Sequence, residues 1–323
     1  MSGAGPRRPK RCRRVCARRQ QDASLPVSWR TGRKDTRLVR SLNPSLSLVV
    51  PTRNEAASVA ALVAQICHAM PGSDKELIFV DDSDDETPGL LQRLLRDADC
   101  PGLVVQRSRG SRQGGLSTAV VRGFMMASGA YICTMDADLQ HPASAVPLLL
   151  NAARRQRADL VIGSRYLTRN GRADGFETSG RRFVSSTATR LAGVVLPAAR
   201  VTTDPLSGFF LLRRSVIEGV QLRPLGYKIL LEILVRGRWQ HLVDVPYQFH
   251  SRNAGVSKAT MREGVQFLRH IATLSRAGAP PPSADVNGRT REVWFPPPFE
   301  NGTTVDLSAN GRSASELIGT KRR

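Results

Sequence analysis

The chain has 323 residues, 41% of them hydrophobic, and a formal charge of +21 from 48 Lys and Arg against 27 Asp and Glu. That length holds one large α/β domain or two small ones, with enough apolar residues for a substantial core. The charge calls for an anionic partner, whether nucleic acid, acidic lipid or a phosphorylated substrate; no run approaches the roughly 18–20 apolar residues of a spanning helix, so no spanning helix is expected.

Residues 1–43 read as a basic disordered tail. Between Arg7 and Arg40 the only acids are Asp22 and Asp35, and a block of like charge does not pack. No apolar h-region marks a secretory signal. The tail has no aromatic interleaving beyond Trp29 and no known binding module, so a specific nucleic-acid partner is not expected. Cys12, Cys16, Cys67, Cys100 and Cys133 form no framework and no zinc spacing, which predicts reduced, mostly structural thiols.

From residue 44 the pattern alternates. Ser45 to Pro51 reads as a strand that Pro51 stops. Asn54 is placed to cap a helix over 55–70. A second strand at 76–80 ends in Asp81-Asp82-Ser83-Asp84-Asp85. A helix over 87–98, a strand at 103–106 and a helix over 116–127 capped by Ser117 or Thr118 follow. Next come a strand at 130–135, a helix around 146–153 and a strand at 159–162. Strand and helix in alternation with short links signal a mostly parallel sheet covered by helices.

The second half is less regular. A glycine-rich loop runs to Gly180, and 181–196 reads as a helix with Arg181 and Ser185 one turn apart. A short apolar run at 207–212, a buried helix at 227–235 and a strand at 242–249 come next. A helix over 261–274 carries Val265, Leu268, Ile271 and Ala272 on one stripe, with Arg262, Arg269 and His270 on its other side. Residues 278–323, rich in Pro, Gly, Ser and Asn, read as a disordered tail. The folded domain is thus expected at 44–277.

The chemistry concentrates at Met135-Asp136-Ala137-Asp138-Leu139-Gln140-His141-Pro142. Residues i and i+2 of an extended segment share a side. Asp136 and Asp138 can therefore aim at one point, with Gln140 a third oxygen if the extended path continues. Hard oxygens of this kind suit Mg²⁺ or Mn²⁺, held by one or two carboxylates plus substrate phosphates. An isolated Asp-x-Asp is more often a solvated turn. Here three polar motifs (51–55, 81–82 and 136–138) all fall at strand carboxyl ends, where such sheets bind ligands. His141 reads as a structural hydrogen-bonding residue near the turn, and Cys133 as core.

Taken together, the motifs resemble family 2 glycosyltransferases of the dolichol/polyprenol-phosphate mannosyltransferase type. They are Val49-Val50-Pro51-Thr52-Arg53-Asn54-Glu55; Val80-Asp81-Asp82-Ser83; Gly115-Leu116-Ser117-Thr118-Ala119; the Asp-Ala-Asp segment; Gly163-Ser164-Arg165-Tyr166; Asp204-Pro205-Leu206-Ser207-Gly208-Phe209; Gly226-Tyr227-Lys228; and Val245-Pro246 through Arg252 to Ser257-Lys258. The resemblance implies a single nucleotide-sugar-binding domain of the GT-A type. It also implies inverting transfer of mannose from GDP-mannose to the phosphate of a polyprenol or dolichol lipid. The same fold using a UDP-sugar such as UDP-glucose is the alternative.

The resemblance carries roles to particular positions. Pro51, Arg53 and Glu55 fall where the family holds base and ribose, and Val80 and Asp82 continue that pocket. Asp136, Ala137, Asp138 and Gln140 fall on the metal and diphosphate site, with Asp136, Asp138 and Gln140 as ligands of Mg²⁺ or Mn²⁺. Arg165, Arg181 and Ser185 fall on the acceptor phosphate and join Asp138 as catalytic residues, although Arg182 and Ser186 take those roles if the alignment shifts by one. Arg252 and Lys258 fall on the donor side. Arg53 stands where the family often has an aromatic residue, and Ser83 replaces a frequent glycine. Many relatives carry membrane helices after this domain. This chain is expected to lie on the cytoplasmic face of an anionic membrane through its own surface, or through a separate membrane-anchoring protein.

Overall fold

The computed structural model describes residues 35–37, 44–72, 74–98, 100–167, 179–250, 261–276 and 290–294, with backbone only at 35–37, 179–186 and 261–263. The strands are β1 (Asp35–Arg37), β2 (Leu46–Thr52), β3 (Lys75–Asp81), β4 (Gly102–Gln106), β5 (Tyr131–Thr134), β6 (Leu160–Ser164), β7 (Phe210–Arg213), β8 (His241–Pro246) and β9 (Thr290–Val293). The helices are α1 (Val59–Ala69), α2 (Thr87–Asp97), α3 (Gly115–Met126), α4 (Ala145–Arg155), α5 (Ser179–Val195), α6 (Ile229–Arg236) and α7 (Met261–Arg276).

The strands join in one sheet, in the order β1-β4-β3-β2-β5-β7-β6-β8-β9. Near-continuous apolar strands must be covered on both faces, and alternate side chains supply two cores. Leu48, Val50, Leu77 and Phe79 meet Leu62 and Ile66 of α1, Leu91 of α2 and Leu149 of α4. Val49, Ile78 and Val80 meet Val120 and Phe124 of α3 and Leu230 and Ile233 of α6. A third cluster joins α5, α6 and α7 through Ala192, Leu231, Val235, Phe267, Ile271 and Leu274. The chain runs outward through β2, β3 and β4 and returns beside β2 as β5. That reversal opens a crevice at the carboxyl ends of β2 and β5, where sheets of this kind bind ligands.

The sheet is mostly parallel, as expected. Among the described strands, β1 and β7 run against the rest. Because β7 lies antiparallel between β5 and β6, the segment entering it arrives at the carboxyl ends of both neighbours. Residues 204–209 are delivered there.

Several local expectations change. Pro51 lies inside β2, opposite Val80. Its nitrogen faces the β5 side, where pairing has already ended at Val49, so no ladder bond is lost. Asn54 does not cap a helix. It sits in the left-handed region at φ 54°, its Oδ1 accepts from Asp84 N at 3.0 Å, and α1 begins only at Val59. The helix at α3 starts from Gly114, which takes φ 84°, a conformation that side chains disfavour. Neither Ser117 nor Thr118 caps it; Thr118 Oγ1 bonds the Gln113 and Gly115 carbonyls instead.

The stripe expected on α7 is rotated. Phe267, His270, Ile271 and Leu274 are buried, whereas Val265 and Leu268 are exposed. The buried set keeps the i, i+3, i+4, i+7 spacing of a helix face. His270 belongs to it because its Nε2 meets the fully buried Glu232 carboxylate of α6 at 3.3 Å.

Segments expected to be tails supply both sheet edges. β1 pairs with β4. β9 pairs with β8, and Trp294 packs against the core while its N–H donates to Asp244 O at 3.0 Å. A four-residue strand inside a Pro-rich composition leaves too short a pattern to read. Among the described residues no helix is long and apolar enough to cross a membrane.

The thiols also differ from expectation. Cys67 of α1 and Cys100, before β4, form a disulfide, while Cys133 is free and buried. Their separation of 33 residues closes a long loop, which limits the unfolded chain more than the folded one. Cys100→Ser is expected to lower the unfolding free energy by about 2–4 kcal/mol in urea titration. Reductant should move the wild-type midpoint to the same place; a wild type indifferent to reductant contradicts the crosslink.

Candidate active site

The floor of the crevice is a hydrogen-bonded staple between the ends of β2 and β3. Asp81 is fully buried. Its Oδ1 accepts from Thr52 Oγ1 at 2.8 Å and Ser83 Oγ at 2.6 Å, and its Oδ2 from Ser83 N at 3.1 Å. Burial raises its pKa, and these donors oppose the rise. Asp81 thus orients the two loops. Pro51 is buried above it, Arg53 is exposed, and Glu55 accepts from Ser58 Oγ at 3.0 Å. Val80 is sealed into the core, so its side chain shapes the wall behind the crevice.

Asp82 is held by a residue that sequence reasoning missed. Arg107, at the end of β4, donates from Nε to Asp82 Oδ1 at 2.7 Å and from Nη2 to Oδ2, a two-pronged grip. Its Nη1 also reaches Thr118 Oγ1 at 2.8 Å. Arg112 donates to Asp84 at 2.9 Å and to Ser83 O at 2.8 Å. The acidic loop after β3 and the basic loop after β4 therefore clip together. The run of arginines at 107–112 was the available signal.

The Asp-Ala-Asp segment follows β5, which ends at Thr134. Leu139 takes φ 63°, so the extended path needed to carry Gln140 onto the side of the carboxylates is broken. Gln140 is tied elsewhere: its Nε2 donates to His250 O at 3.2 Å, and its own carbonyl accepts from His250 N at 3.0 Å. Ala137 is buried. Asp138 is nearly buried, and its Oδ1 accepts from Gln140 N at 3.2 Å. The Asp136 side chain is 37% exposed, open to a ligand.

Asp136 is aimed by a relay. Tyr247 OH lies 2.8 Å from His141 Nδ1, and His141 Nε2 lies 3.3 Å from Asp136 Oδ2. An ionised carboxylate only accepts, so Nε2 carries the proton and Nδ1 takes the phenol's. Burial pushes the Asp136 carboxyl up; the His141 hydrogen bond and the charges of Lys228 and Arg165 oppose it, and the net value is held down. Lys228 itself donates to Leu206 O at 2.9 Å.

Arg165 leaves β6 and turns back over the entry to β7. It donates from Nε to Asp204 Oδ2 at 2.7 Å and from Nη2 to Oδ1 at 2.8 Å. Asp204 is fully buried and the arginine nearly so. Burial disfavours the Arg165 charge, but the Asp204 carboxylate more than compensates, so the guanidinium stays protonated. It also lies 5.6 Å from the Phe249 ring centroid. His141 is stacked on Phe209 at 5.2 Å and lies 5.5 Å from Phe249. One aromatic wall (Phe209, Tyr247, Phe249) thus backs both the carboxylates and the guanidinium. Burial pushes the Tyr247 phenol well above its usual range, and Asp204, Asp136 and Asp138 add to this.

The structure therefore brings Asp136, Ala137, Asp138 and Arg165 together. Arg181 and Ser185 lie on α5, with side chains outside the described residues, as are Arg252 and Lys258 altogether. Among the described residues no group of three or more His, Cys, Asp or Glu converges to hold a metal. Asp136 and Asp138 offer two carboxylates, which would fit a hard cation that takes its remaining ligands from phosphate oxygens and water.

The fold is that of a GT-A glycosyltransferase domain. The chain belongs to glycosyl transferase family 2, whose family model matches residues 47–220. It is 39% identical over 232 residues to a dolichol-phosphate mannosyltransferase of Pyrococcus furiosus, covering 72% of this chain and 64% of that protein. It thus spans less than two thirds of that relative's length. It is 32% identical over 240 residues to the dolichol-phosphate mannosyltransferase of Saccharomyces cerevisiae, covering 71% of this chain and 86% of that one. Among solved structures, glucosyl-3-phosphoglycerate synthase of Mycobacterium tuberculosis, with Mn²⁺, UDP and phosphoglyceric acid, superposes with a TM-score of 0.53 at 23% identity. The match covers 73% of this chain and 80% of that one, and it speaks to the fold alone.

The loop before β7 approaches the carboxylates closely: a Cβ on Gly208 would lie 2.9 Å from Asp136 Oδ2. If Asp136 holds a cation, Gly208→Ala is expected to weaken Mn²⁺ binding by about 10–100-fold, the usual cost of disturbing a ligand's support. Titration calorimetry with Mn²⁺ and GDP, beside a thermal melt, checks this. Unchanged affinity would show that Asp136 does not bind the ion.

Proposed function

We propose that the protein transfers mannose from GDP-mannose to the phosphate of a polyprenol or dolichol lipid, with inversion at the anomeric carbon. The observation that carries this reading is the shared aromatic wall. On one side it offers a carboxylate pair suited to a cation-bound diphosphate, and on the other a locked guanidinium suited to a second phosphate. The names of the Pyrococcus and Saccharomyces relatives support the same substrates.

In this reading Pro51, Arg53, Glu55 and Asp82 line the nucleotide end of the crevice. Asp136 and Asp138 would hold Mg²⁺ or Mn²⁺, with Gln140 at the margin. When bound, that ion supplies positive charge to the leaving diphosphate. Arg165 orients the lipid phosphate by a fixed pattern of donors, with Arg181 and Ser185 assigned to the same group. Arg252 and Lys258 are assigned to the donor diphosphate. A phosphate oxygen attacks C1 of the sugar, the new C–O bond forms, and the bond from C1 to the diphosphate breaks with its electron pair leaving on GDP. A lipid monophosphate is already anionic at neutral pH and needs no general base. His141 is consistent with that, because both its ring nitrogens are engaged by Asp136 and Tyr247.

The acceptor lies in a membrane, and an apolar face suits that meeting. Val194 of α5 is 70% exposed and Leu268 of α7 is 53% exposed, with exposed Arg190, Arg269 and Arg276 on the same two helices. Apolar groups flanked by cations favour an anionic bilayer surface. The cytoplasmic face of a membrane is the proposed location, with a separate anchoring protein as a second means of attachment. Val194→Asp with Leu268→Asp is expected to reduce co-sedimentation with anionic vesicles. Equal sedimentation would refute this face.

Asp138→Asn tests the catalytic reading. Transfer should fall by at least about 100-fold, or about 2.7 kcal/mol of barrier, with the thermal melt retained. Excess EDTA should act likewise on the wild type. Full activity in either case would remove the metal role. Inhibition by GDP but not UDP distinguishes GDP-mannose from the alternative UDP-sugar donor, a choice that falls on the pocket around Arg53.

A further inference from the structure

Arg165 is only the end of a longer chain of contacts that leads away from the crevice. Asp244 lies on β8, opposite Ile162 of β6, and is fully buried. Its Oδ1 accepts from Thr202 Oγ1 at 2.7 Å. Its Oδ2 accepts from Thr203 N and Thr203 Oγ1, both at 2.9 Å, and from the Arg291 guanidinium at 3.0 Å.

These partners are the immediate neighbours of the acceptor-side pair. Thr202 Oγ1 accepts from Asp204 N at 3.2 Å. Thr203 has committed its hydroxyl proton to Asp244, so at 2.7 Å its Oγ1 accepts from Ser164 Oγ, on the residue before Arg165. Asp244 therefore grips the segment that carries Asp204 and, one bond further, the segment that carries Arg165. Asp244 and Arg291 both lie beyond the span matched by the family model. Arg291 comes from β9, the edge strand that pairs with β8.

We infer that Asp244 is a positioning residue for Arg165, with Arg291 of β9 as its countercharge, so that this C-terminal strand tunes how the site receives the acceptor phosphate. A buried carboxylate deprived of its cation takes up a proton, shifts or recruits other donors, and each of these changes its hydrogen bonds to its remaining partners. Among the described residues the other partners of the Asp244 carboxylate are Thr202 and Thr203, so a shift of Asp244 passes through them to Asp204 and the guanidinium it holds. Misplacement of a positioning group by about 1 Å is enough to cost up to about 100-fold in rate. The statement about the acceptor rests on the reading of Arg165 given under Proposed function; the positioning of Arg165 does not.

The test uses the full chain in four variants: Arg291→Met, Arg291→Lys, Asp244→Asn and, as a control, Arg213→Met. Arg213 pairs with Asp159, just before the first residue of β6 and so at the strand end remote from Arg165. Two readouts are taken. One is the KM for polyprenyl phosphate beside the KM for GDP-mannose. The other is the ¹H–¹⁵N resonance of the Arg165 Nε–H, assigned by its loss in Arg165→Lys.

Arg291→Met is expected to raise the acceptor KM by about 10-fold and to leave the donor KM within about 2-fold. Arg291→Lys should recover most of the loss. The Arg165 Nε–H resonance should shift or broaden in Arg291→Met and Asp244→Asn and stay in place in Arg213→Met. If Asp244→Asn fails to fold, Arg291→Met alone decides, since its side chain is partly exposed. An unmoved resonance in folded Arg291→Met overturns the inference, as does an equal change of both KM values with a lowered melt. A resonance that moves while Arg165→Lys itself leaves the acceptor KM unchanged supports the positioning and instead removes Arg165 from the acceptor site.

Discussion

Taking a guanidinium and a carboxylate out of water costs several kcal/mol per ion, and only close, two-pronged geometry offsets that cost. Arg165 and Asp204 meet this condition at 2.7 and 2.8 Å. Breaking such a pair from one side leaves an uncompensated charge, at a cost of about 3–5 kcal/mol. The site depends on this pair because it fixes a cation beside a carboxylate pair. Its reach extends inward to the Asp-Ala-Asp turn through the aromatic wall, and outward to the sheet edge through Asp244.

That juxtaposition follows from one feature of the sheet. A purely parallel sheet would send the chain after β5 through a helix and back to the opposite end. The antiparallel β7 instead brings residues 204–209 in at the end where β5 and β6 finish. Asp204 reaches Arg165 from there, and Gly208, having no side chain, comes close to Asp136. Phe209 opens the wall against which His141 stacks. Six consecutive residues thus supply the partner of Arg165, the close approach to Asp136 and one ring of the aromatic wall.

The alternating first half was legible in the sequence, because apolar strands capped by polar motifs write their ends plainly. The placement of Asp136, Asp138 and Arg165 just past strand carboxyl ends was also legible, through their motifs. What was not legible depended on pairing across the fold. Arg107 reads as one arginine among several until Asp82 is beside it. His270 reads as polar surface until Glu232 accounts for its burial, and that error rotated the whole stripe of α7. Gln140 read as a third ligand only while the backbone was taken as extended, and the left-handed turn at Leu139 removes that premise. The edge strands β1 and β9 were too short for composition to reveal. Pro51 shows the reverse: a residue that reads as a strand stop does not act as one when its nitrogen faces an unpaired side.

The claim that ties these parts together is that a lipid phosphate, gripped by Arg165, attacks a sugar whose diphosphate leaves against the Asp136 and Asp138 side. The most direct measurement follows label from radiolabelled GDP-mannose into the organic phase with Mg²⁺ or Mn²⁺, comparing a polyprenyl phosphate with the corresponding polyprenol. Label should appear with the phosphate alone, and the product should be the β-linked mannosyl phosphate. Equal transfer to the free alcohol, or an α-linked product, would contradict the account.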